Sequence, residues 1–416
     1  SINILNKYLN KYTNEQIELV KNHVKRRLES KKANPRLNIV YDVLYQCNLY
    51  CKGCGVNSIF VNQSTPLSLN DLHPKTKDVF FVLEKINKYT QKYNKKAFIN
   101  FGGGEPFLRP DLQKIVKMAH SLFGENSVGI DTNGTIDGEF ERVLELGSYI
   151  SYLGISLDGL EEYHNWWRGS GVDKNAFKKA VSLIEKITTN SNLNSKFEVS
   201  SVATRKNIHQ IPDLIDFLHS IGVKKYSVHR AMTVGRMEHF PELVPNSEEY
   251  FDLLVKIVEK ADRLGMDIHL HHSIESIYAT ILLGLNTYAT NKVGNPDAGS
   301  SLGIDPLGTI VFDPWCVRGT WQKLQSHSLL DKDIELEMIV ESNNGTILDL
   351  TKAYSSHSVR CNGCKHPCSG GSRIAAAVNY LNKKYEKISD LTESHLLSGM
   401  TEIDPVCPLY KDSEND

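Results

Sequence analysis

The chain has 416 residues, 40% of them hydrophobic and 23% charged, and its formal net charge is −1. This length allows two or three domains with a sizeable core, and the near-neutral charge argues against a nucleic-acid partner. No apolar run reaches the about 18 residues of a membrane span, and the first residues lack the basic start and apolar stretch of a signal peptide. We therefore expect a cytoplasmic protein, in which cysteines serve metals or catalysis more often than disulfides.

Hydrophobic periodicity predicts a helical segment over residues 1–36, followed by alternating strands and helices. We predict, in chain order, a strand at 38–45, a helix at 69–93, a strand at 96–101, a helix at 111–122, a strand at 127–131, a helix at 139–146, a strand at 152–157, a helix at 174–188, a strand at 196–203, a helix at 211–221 and a strand at 225–230. About six such units predict a parallel sheet with right-handed crossovers. The expected fold class is α/β, a partial (β/α)6 TIM-like barrel over residues 37–240.

Two further regions follow the predicted barrel. Residues 241–300 predict a helical bridge, with helices at 248–264 and 274–285 and a polar loop at 291–301. Alternating hydrophobicity at 303–312, around Asp305-Pro306-Leu307-Gly308, predicts a β-hairpin. Another helical segment is predicted at 333–341. We expect residues 301–416 to form a smaller α+β domain, with its boundary between residues 286 and 302.

The eight cysteines fall into two groups of three plus two single residues. Cys47, Cys51 and Cys54 have the spacing C-x3-C-x2-C directly after a predicted strand. Three thiolates on one short loop can bind three irons of a [4Fe–4S] cube and leave the fourth iron open to a substrate or cofactor. A zinc knuckle is the alternative, but zinc takes a fourth ligand at short range, and none follows within the loop.

Polar segments follow the ends of four predicted strands. They are the cysteine loop at 47–54, the glycine-rich segment at 102–106, the segment at 131–134 and the segment at 156–159. In a βα barrel such segments converge on the C-terminal rim, where active sites are built. The sequence therefore predicts one site at this rim.

The cysteine loop together with Gly103-Gly104-Glu105 resembles the radical S-adenosylmethionine (radical SAM) superfamily. The resemblance implies a [4Fe–4S] cluster whose open iron is chelated by the amino and carboxylate groups of SAM. It also implies that Gly103, Gly104 and Glu105 hold the amino group of the methionine moiety: glycines let the backbone approach a ligand, and a carboxylate suits an ammonium group. Gly53 replaces the aromatic residue that the family has before the third cysteine, which removes one contact beside the adenine.

Three further residues carry the resemblance. Ser156, in Gly154-Ile155-Ser156-Leu157-Asp158-Gly159, is similar to the strand-end serine that helps to bind SAM. Arg168 resembles the arginine that meets the SAM carboxylate in peptide- and sulfatase-modifying members; a surface salt bridge is the alternative. Asn133, in Asp131-Thr132-Asn133-Gly134, resembles the Thr-Asn-Gly strand end that shapes the rim, and a helix-capping turn is its alternative.

The C-terminal cysteines resemble the SPASM extension, which carries auxiliary iron–sulfur clusters. Ser372 stands where that pattern has another cysteine, so two complete auxiliary cubes cannot be built. One full set of four thiolates remains, and the resemblance implies one auxiliary [4Fe–4S] cluster on Cys361, Cys364, Cys368 and Cys407. A competing assignment uses Cys316 in place of Cys407, and a zinc site with four thiolates is the other alternative.

The resemblance implies an enzyme that reductively cleaves SAM to a 5′-deoxyadenosyl radical and abstracts hydrogen from a ribosomally made precursor peptide. An oxidative crosslink of the cyclophane or thioether type would result, with flavodoxin or ferredoxin as electron donor. Alternatives within the class are a peptide epimerase with Cys316 as hydrogen donor and a dehydrogenase of a small polar molecule. A non-catalytic Fe–S or zinc electron-transfer protein is the alternative from another class.

Other suggestive residues have simpler interpretations. His269, His271 and His272 have no local carboxylate or cysteine that completes a metal site, so we expect a solvated strand edge. The pair Trp166-Trp167 could stack on adenine or substrate, or pack at the rim. The glycines at 102–104 lack the spacing of a dinucleotide-binding fingerprint.

Overall fold

A ten-stranded, mostly parallel sheet dominates the computed structural model, which describes residues 36–62, 74–270, 301–311, 314, 325–341, 373–385, 391–399 and 402. The strands are β1 Arg36–Asp42, β2 Gln46–Cys47, β3 Ile59–Phe60, β4 Lys96–Gly102, β5 Val128–Thr132, β6 Tyr152–Ser156, β7 Phe197–Ala203, β8 Lys225–Arg230, β9 Asp267–Leu270, β10 Ser301–Ile304, β11 Thr309–Val311 and β12 Gln325–Ser328. Their order in the large sheet is β12-β11-β10-β1-β4-β5-β6-β7-β8-β9, and β2 pairs separately with β3.

Helices follow most of the parallel strands. They are α1 Thr76–Lys92, α2 Leu112–Phe123, α3 Glu139–Leu146, α4 Glu161–His164, α5 Ala176–Thr188, α6 Ser191–Asn194, α7 Ile211–Ser220, α8 Ser247–Leu264, α9 Leu336–Val340, α10 Arg373–Lys384 and α11 Glu393–Gly399. Side-chain capping stabilises the start of α8, where Asn246 and Glu249 form a capping box. Among the described helices, none combines the length and the apolar character that crossing a bilayer requires.

The hydrophobic core lies between the sheet and the helices that cover it. Each central strand contributes a residue that is almost wholly buried: Ile39, Ile99, Ile130, Ile155, Val199 and Val228. Alternate residues of the same strands, such as Asn100, Asp131 and Glu198, belong to the opposite face, since side chains alternate along a strand. The sheet therefore has an apolar face against the helices and a polar face on its other side.

The predicted α/β class and the six βα units are confirmed. β1, β4, β5, β6, β7 and β8 are neighbours in parallel register, as alternation predicts. The predicted strand at 38–45 ends earlier, at Asp42. The backbone after Asp42 is hydrogen-bonded to the glycine-rich segment instead, since Gly104 N donates to Leu44 O at 2.9 Å. The short helices α4 and α6 and a π-helical turn at Asn165–Gly169 have no counterpart in the prediction, since such short elements carry little periodicity.

The hairpin predicted around 305–308 is present, formed by antiparallel β10 and β11. β10 also pairs with β1 in parallel register, so the main sheet continues into the C-terminal region. The division of the chain at residues 36, 240 and 300 stays a prediction.

Several predicted features lie outside the described residues. They are the N-terminal helix, the start of the helix at 69–93, the helix at 274–285, the loop at 291–300, His271, His272 and the cysteines Cys316, Cys361, Cys364, Cys368 and Cys407, together with Ser372.

Candidate active site

The cysteine loop leaves the sheet after β1 and is closed at its base by β2 and β3. Ile59 N donates to Tyr45 O at 2.8 Å, and Val61 N donates to Cys47 O at 2.9 Å. These bonds hold both ends of the loop together. The three cysteines are thereby confined to one short closed segment at the C-terminal end of β1, as the spacing predicts.

Backbone N–H groups are directed at the loop's sulfur atoms. Leu49 N lies 3.4 Å from Cys47 Sγ, and Ser58 N lies 3.4 Å from Cys54 Sγ. The side-chain amide of Asn133 lies 3.6 Å from Cys47 Sγ. Donors of this kind stabilise sulfur in its charged, metal-binding form.

Burial favours the protonated form of two of the thiols, Cys47 and Cys51. It raises the pKa of Cys47 well above its ordinary value and that of Cys51 to about 11, although the nearby Arg168 guanidinium lowers the latter. A metal that replaces the protons can compensate the buried charge. Among the described residues, no three His, Cys, Asp or Glu side chains surround a single ion position. Three thiols with N–H donors aimed at two of them suit an iron–sulfur cluster, in which each thiolate binds a separate iron.

The glycine-rich segment after β4 lies directly against the start of the cysteine loop. Glu105 N donates to Gln46 O at 2.9 Å. A Cβ atom at Gly104 would lie 1.7 Å from the same carbonyl oxygen, and Gly103 has a φ of 110°, which favours glycine. The glycine pair therefore permits a close backbone approach, and the partner in this structure is the protein's own cysteine loop.

The Glu105 carboxylate is fully buried and already bound by three donors. It accepts from Asn133 N at 2.8 Å, Phe107 N at 3.0 Å and Thr132 Oγ1 at 3.0 Å. These bonds join the end of β4 to the end of β5. An ammonium contact through this carboxylate is hard to reconcile with its burial, so the backbone of residues 103–105 is the better candidate for that contact.

Asn133 is buried between β5 and the cysteine loop. Its Nδ2 donates to Asn48 Oδ1 at 2.9 Å, and its Oδ1 accepts from Thr135 N at 3.0 Å. The residue thus serves both the local turn and the loop. The bond to Thr135 closes a local turn and does not cap a helix, since the residue before helix α3 is Gly138. The role of Asn133 at the rim stays a prediction.

Ser156 and Arg168 are both linked to the C-terminal end of β6. Ser156 is half-buried at the C-terminal end of β6. The Arg168 guanidinium forms an ion pair with the fully buried Asp158, which also accepts from Val202 N at 2.7 Å. The pair uses Nε and Nη2 of Arg168. The salt bridge that the sequence leaves open is therefore present, but it is buried rather than exposed.

Trp167 fills the space beside Gly53. A Cβ atom at position 53 would lie 2.3 Å from Trp167 Cζ2, and Lys52 N donates to Trp167 O at 2.9 Å. Trp167 is 2% exposed and stacks on Tyr163 at a centroid distance of 6.1 Å. Its ring is therefore packed in the rim, next to the residue that lacks a side chain.

The polar face of the sheet carries a connected row of side chains. Asn100 Nδ2 donates to Asp131 at 2.5 Å, Tyr152 Oη donates to Glu198 at 3.0 Å, and His269 Nδ1 lies 2.8 Å from Glu198. Burial raises the pKa of Asp131 to about 6. His269 is half exposed on β9, in agreement with a strand edge, and its pairing with a buried carboxylate could not be foreseen from the local sequence.

Arg236 is a site residue that sequence reasoning missed. It lies in a short 3-10 helix, Gly235–His239, and its side chain contacts the cysteine loop. The segment follows the C-terminal end of β8, so the rule that gathers strand ends at one rim could have indicated it. No motif marks it, and the loop it contacts is about 180 residues away in sequence.

Comparison with known proteins identifies a domain within this chain. The radical SAM superfamily profile matches residues 41–229, which run from β1 to β8. A pre-heme d1 synthase of Dinoroseobacter shibae is 22% identical over 83% of this chain and 83% of its own length. A mycofactocin maturase of Mycobacterium tuberculosis is 25% identical over 81% of this chain and 78% of its own length.

A solved structure shares the fold. Streptococcus suis SuiB, bound to its precursor peptide SuiA, superposes with a TM-score of 0.58 at 14% identity, covering 89% of this chain and 79% of SuiB. The likeness at this identity concerns the fold. The profile match assigns a radical SAM domain to residues 41–229, which contain the cysteine loop.

Proposed function

We propose that the protein is a radical SAM enzyme that modifies a ribosomally made precursor peptide. The observation that carries the proposal is the cysteine loop, whose three thiols lie on one closed segment bonded directly to the glycine-rich segment at 103–105. When bound, a [4Fe–4S] cluster and SAM supply a strongly oxidising carbon radical that removes hydrogen from unactivated C–H bonds.

The chain's own residues would bind and orient these groups. Cys47, Cys51 and Cys54 would each bind one iron and leave the fourth for SAM. The backbone of 103–105 and the Ser156 hydroxyl would hold the methionine moiety. Arg168, kept in place by Asp158, would direct its remaining N–H donors at the SAM carboxylate.

Asn133 would support the loop rather than contact SAM. Its amide bonds to Asn48, within the loop, and approaches Cys47 Sγ. This supporting position is consistent with a residue that orients metal ligands.

The C-terminal cysteines would form a second redox centre. We assign one auxiliary [4Fe–4S] cluster to Cys361, Cys364, Cys368 and Cys407, and leave Cys316 as a candidate hydrogen donor. If these four cysteines hold a cluster, it would supply one-electron oxidation, which suits a crosslink or a dehydrogenation. A thiol donor would instead return hydrogen and give an epimer.

The peptide substrate is supported by the comparisons. The similar proteins include a mycofactocin maturase and a structure that holds a precursor peptide. We therefore favour an oxidative crosslink in a peptide, of the cyclophane or thioether type, in a cytoplasmic enzyme reduced by flavodoxin or ferredoxin.

A tetrapyrrole is the second candidate substrate. It is favoured by the similarity to a pre-heme d1 synthase, which extends over 83% of this chain, against 81% for the maturase. Both candidate functions use the same radical SAM domain. They differ in the substrate that would bind beside it, a peptide or a tetrapyrrole.

Substrate-stimulated SAM cleavage tests the assignment. The anaerobically reconstituted protein is incubated with SAM, dithionite and either a short peptide encoded beside its gene or a porphyrin, and products are followed by mass spectrometry. We expect the peptide to increase 5′-deoxyadenosine and to lose two hydrogens. A peptide that stays unchanged while the porphyrin is modified would transfer the assignment to tetrapyrroles.

A further inference from the structure

The segment at 235–237 is pressed against the cysteine loop from the β8 side of the sheet. Arg236 N donates to Cys54 O at 3.0 Å. A Cβ atom at Gly235 would lie 2.3 Å from Gly55 O and 2.4 Å from Cys54 O, and its φ of 56° favours glycine. The backbone at residues 235–236 is thus in direct contact with the third cysteine, Cys54, and this contact requires a glycine at position 235.

The Arg236 side chain continues this contact beneath the loop. Nε donates to Cys51 O at 2.7 Å, Nη1 to Ser58 O at 2.7 Å and Nη2 to Ser58 Oγ at 3.3 Å. The guanidinium also lies over the Tyr50 ring, 4.2 Å from its centroid. Arg236 is only 6% exposed, and these partners hold its guanidinium group in one position.

The charge of Arg236 has no carboxylate partner in the part of the chain that the structure describes. All its described hydrogen bonds go to neutral oxygens. Arg168, the other arginine whose charge acts on Cys51, is neutralised by Asp158. A buried cation is costly without a countercharge, and the charge of Arg236 acts on the Cys51 thiol. A negatively charged cluster bound by the thiols would therefore stabilise Arg236.

The geometry points to Arg236 as the fixed countercharge of the iron–sulfur site, and as a positioning residue that raises the site's reduction potential. The inference rests on the proposed function, since it requires a cluster on Cys47, Cys51 and Cys54. One electron from dithionite makes the cluster more negative by one charge, with no bond formed or broken. A nearby fixed cation therefore stabilises the reduced state more than the oxidised state.

A redox titration of the reconstituted protein, followed by electron paramagnetic resonance, tests the inference. In Arg236→Gln the ratio of reduced to oxidised cluster at a fixed potential should fall about tenfold, which is about 59 mV for a one-electron couple. Arg236→Lys keeps the charge and should stay close to the wild-type potential. Arg205→Gln is the matched control, because Arg205 is exposed and paired with Glu249, and it should leave the potential unchanged.

Iron content and thermal unfolding make every outcome informative. If Arg236→Gln loses iron while Arg236→Lys keeps it at the wild-type potential, the countercharge is upheld. If both variants keep the wild-type potential, or both lose iron and stability alike, Arg236 merely packs and the inference is wrong. These outcomes leave the proposed radical SAM chemistry standing, because that chemistry is tested separately by SAM cleavage in wild-type protein with full iron.

Discussion

Thr132 lies between two buried carboxyl groups and has one hydroxyl proton to donate. Its Oγ1 is 3.0 Å from Glu105 and 2.6 Å from Glu139. Two ionised carboxylates would compete for that single proton, so the arrangement favours protonation of one carboxyl, which could then donate to the hydroxyl. Burial raises the pKa of Glu105 to about 7 and, with the added repulsion of Glu105, that of Glu139 to about 8.

Stability should therefore fall as the pH rises towards 8. A carboxyl with a folded-state pKa near 8 and an unfolded value near 4.5 binds more protons when folded, so its contribution is complete below about 4.5 and is lost through 8. The free energy of unfolding should decline by up to about 1.4 kcal/mol per pH unit in this window. Glu139→Gln, which mimics the protonated form, should flatten the decline in urea titrations at several pH values.

Glu141→Gln is the control for this experiment, since Glu141 is exposed on the same helix α3 and should leave the slope unchanged. An unaltered slope in Glu139→Gln would mean that the proton is not shared between the two carboxyl groups.

At the scale of single residues, the sequence predicts those site residues that lie close together within one short motif. Cys47, Cys51 and Cys54 are close because the chain between them is short. Gly104 can be recognised from the glycine-rich motif in which it lies. The partners that complete the site, such as Asp158 for Arg168, depend on which strand ends meet. Only the tertiary structure specifies those pairs.

At the scale of elements, the π-helical turn at Asn165–Gly169 packs closely against the cysteine loop. The turn directs Trp167 onto Gly53, and Lys52 N bonds to the turn's backbone. Such turns occur often at functional sites. The helical periodicity of a five-residue turn cannot be detected in sequence, which is why the fit of Trp167 to Gly53 was not predicted.

Gly53→Ala should destabilise the protein by about 1–3 kcal/mol, because the added methyl group collides with the Trp167 ring. In a Trp167→Ala background most of this cost should vanish, since the ring that causes it is gone. A double-mutant cycle in urea unfolding, followed by circular dichroism, measures the coupling.

Gly169→Ala serves as the comparison for this cycle, because its added methyl group would meet nothing closer than 3.9 Å. Additive free energies for Gly53→Ala and Trp167→Ala would show that the two elements do not constrain each other.

Across the whole molecule, the sheet links the radical SAM domain to the C-terminal region. β10 pairs with β1, and the segment before α9 packs on α1 through Lys85, whose Nζ donates to Ile334 O at 2.6 Å and also to Asp331 O. The alternation of strands and helices in the sequence predicts the six central strands. It does not predict β10 beside β1, since that pairing joins residues about 260 positions apart.

Replacing Lys85 should cost far more than replacing its exposed neighbour. Lys85 is 6% exposed, and Lys85→Met would leave two carbonyl groups without their donor, at about 1–3 kcal/mol. Lys88 is 66% exposed in its pair with Glu335, so Lys88→Met should cost less than about 1 kcal/mol. Equal free energies of unfolding for the two variants would argue against this tie between α1 and the C-terminal region.

Metal content tests the assignment of two redox centres. About eight irons per reconstituted chain supports one cluster on the first cysteine group and one on the C-terminal cysteines. About four irons with one zinc would assign the C-terminal set to zinc, and about twelve irons would contradict the inference drawn from Ser372.

Reductive SAM cleavage is the most direct test of the account. Protein reconstituted anaerobically with iron and sulfide is given SAM and dithionite, and 5′-deoxyadenosine is measured by liquid chromatography. We predict that the wild-type chain forms 5′-deoxyadenosine and that Cys47→Ala, Cys51→Ala and Cys54→Ala each abolish it. A wild-type protein that holds its full iron yet forms no 5′-deoxyadenosine would contradict the proposal that this loop performs radical SAM chemistry.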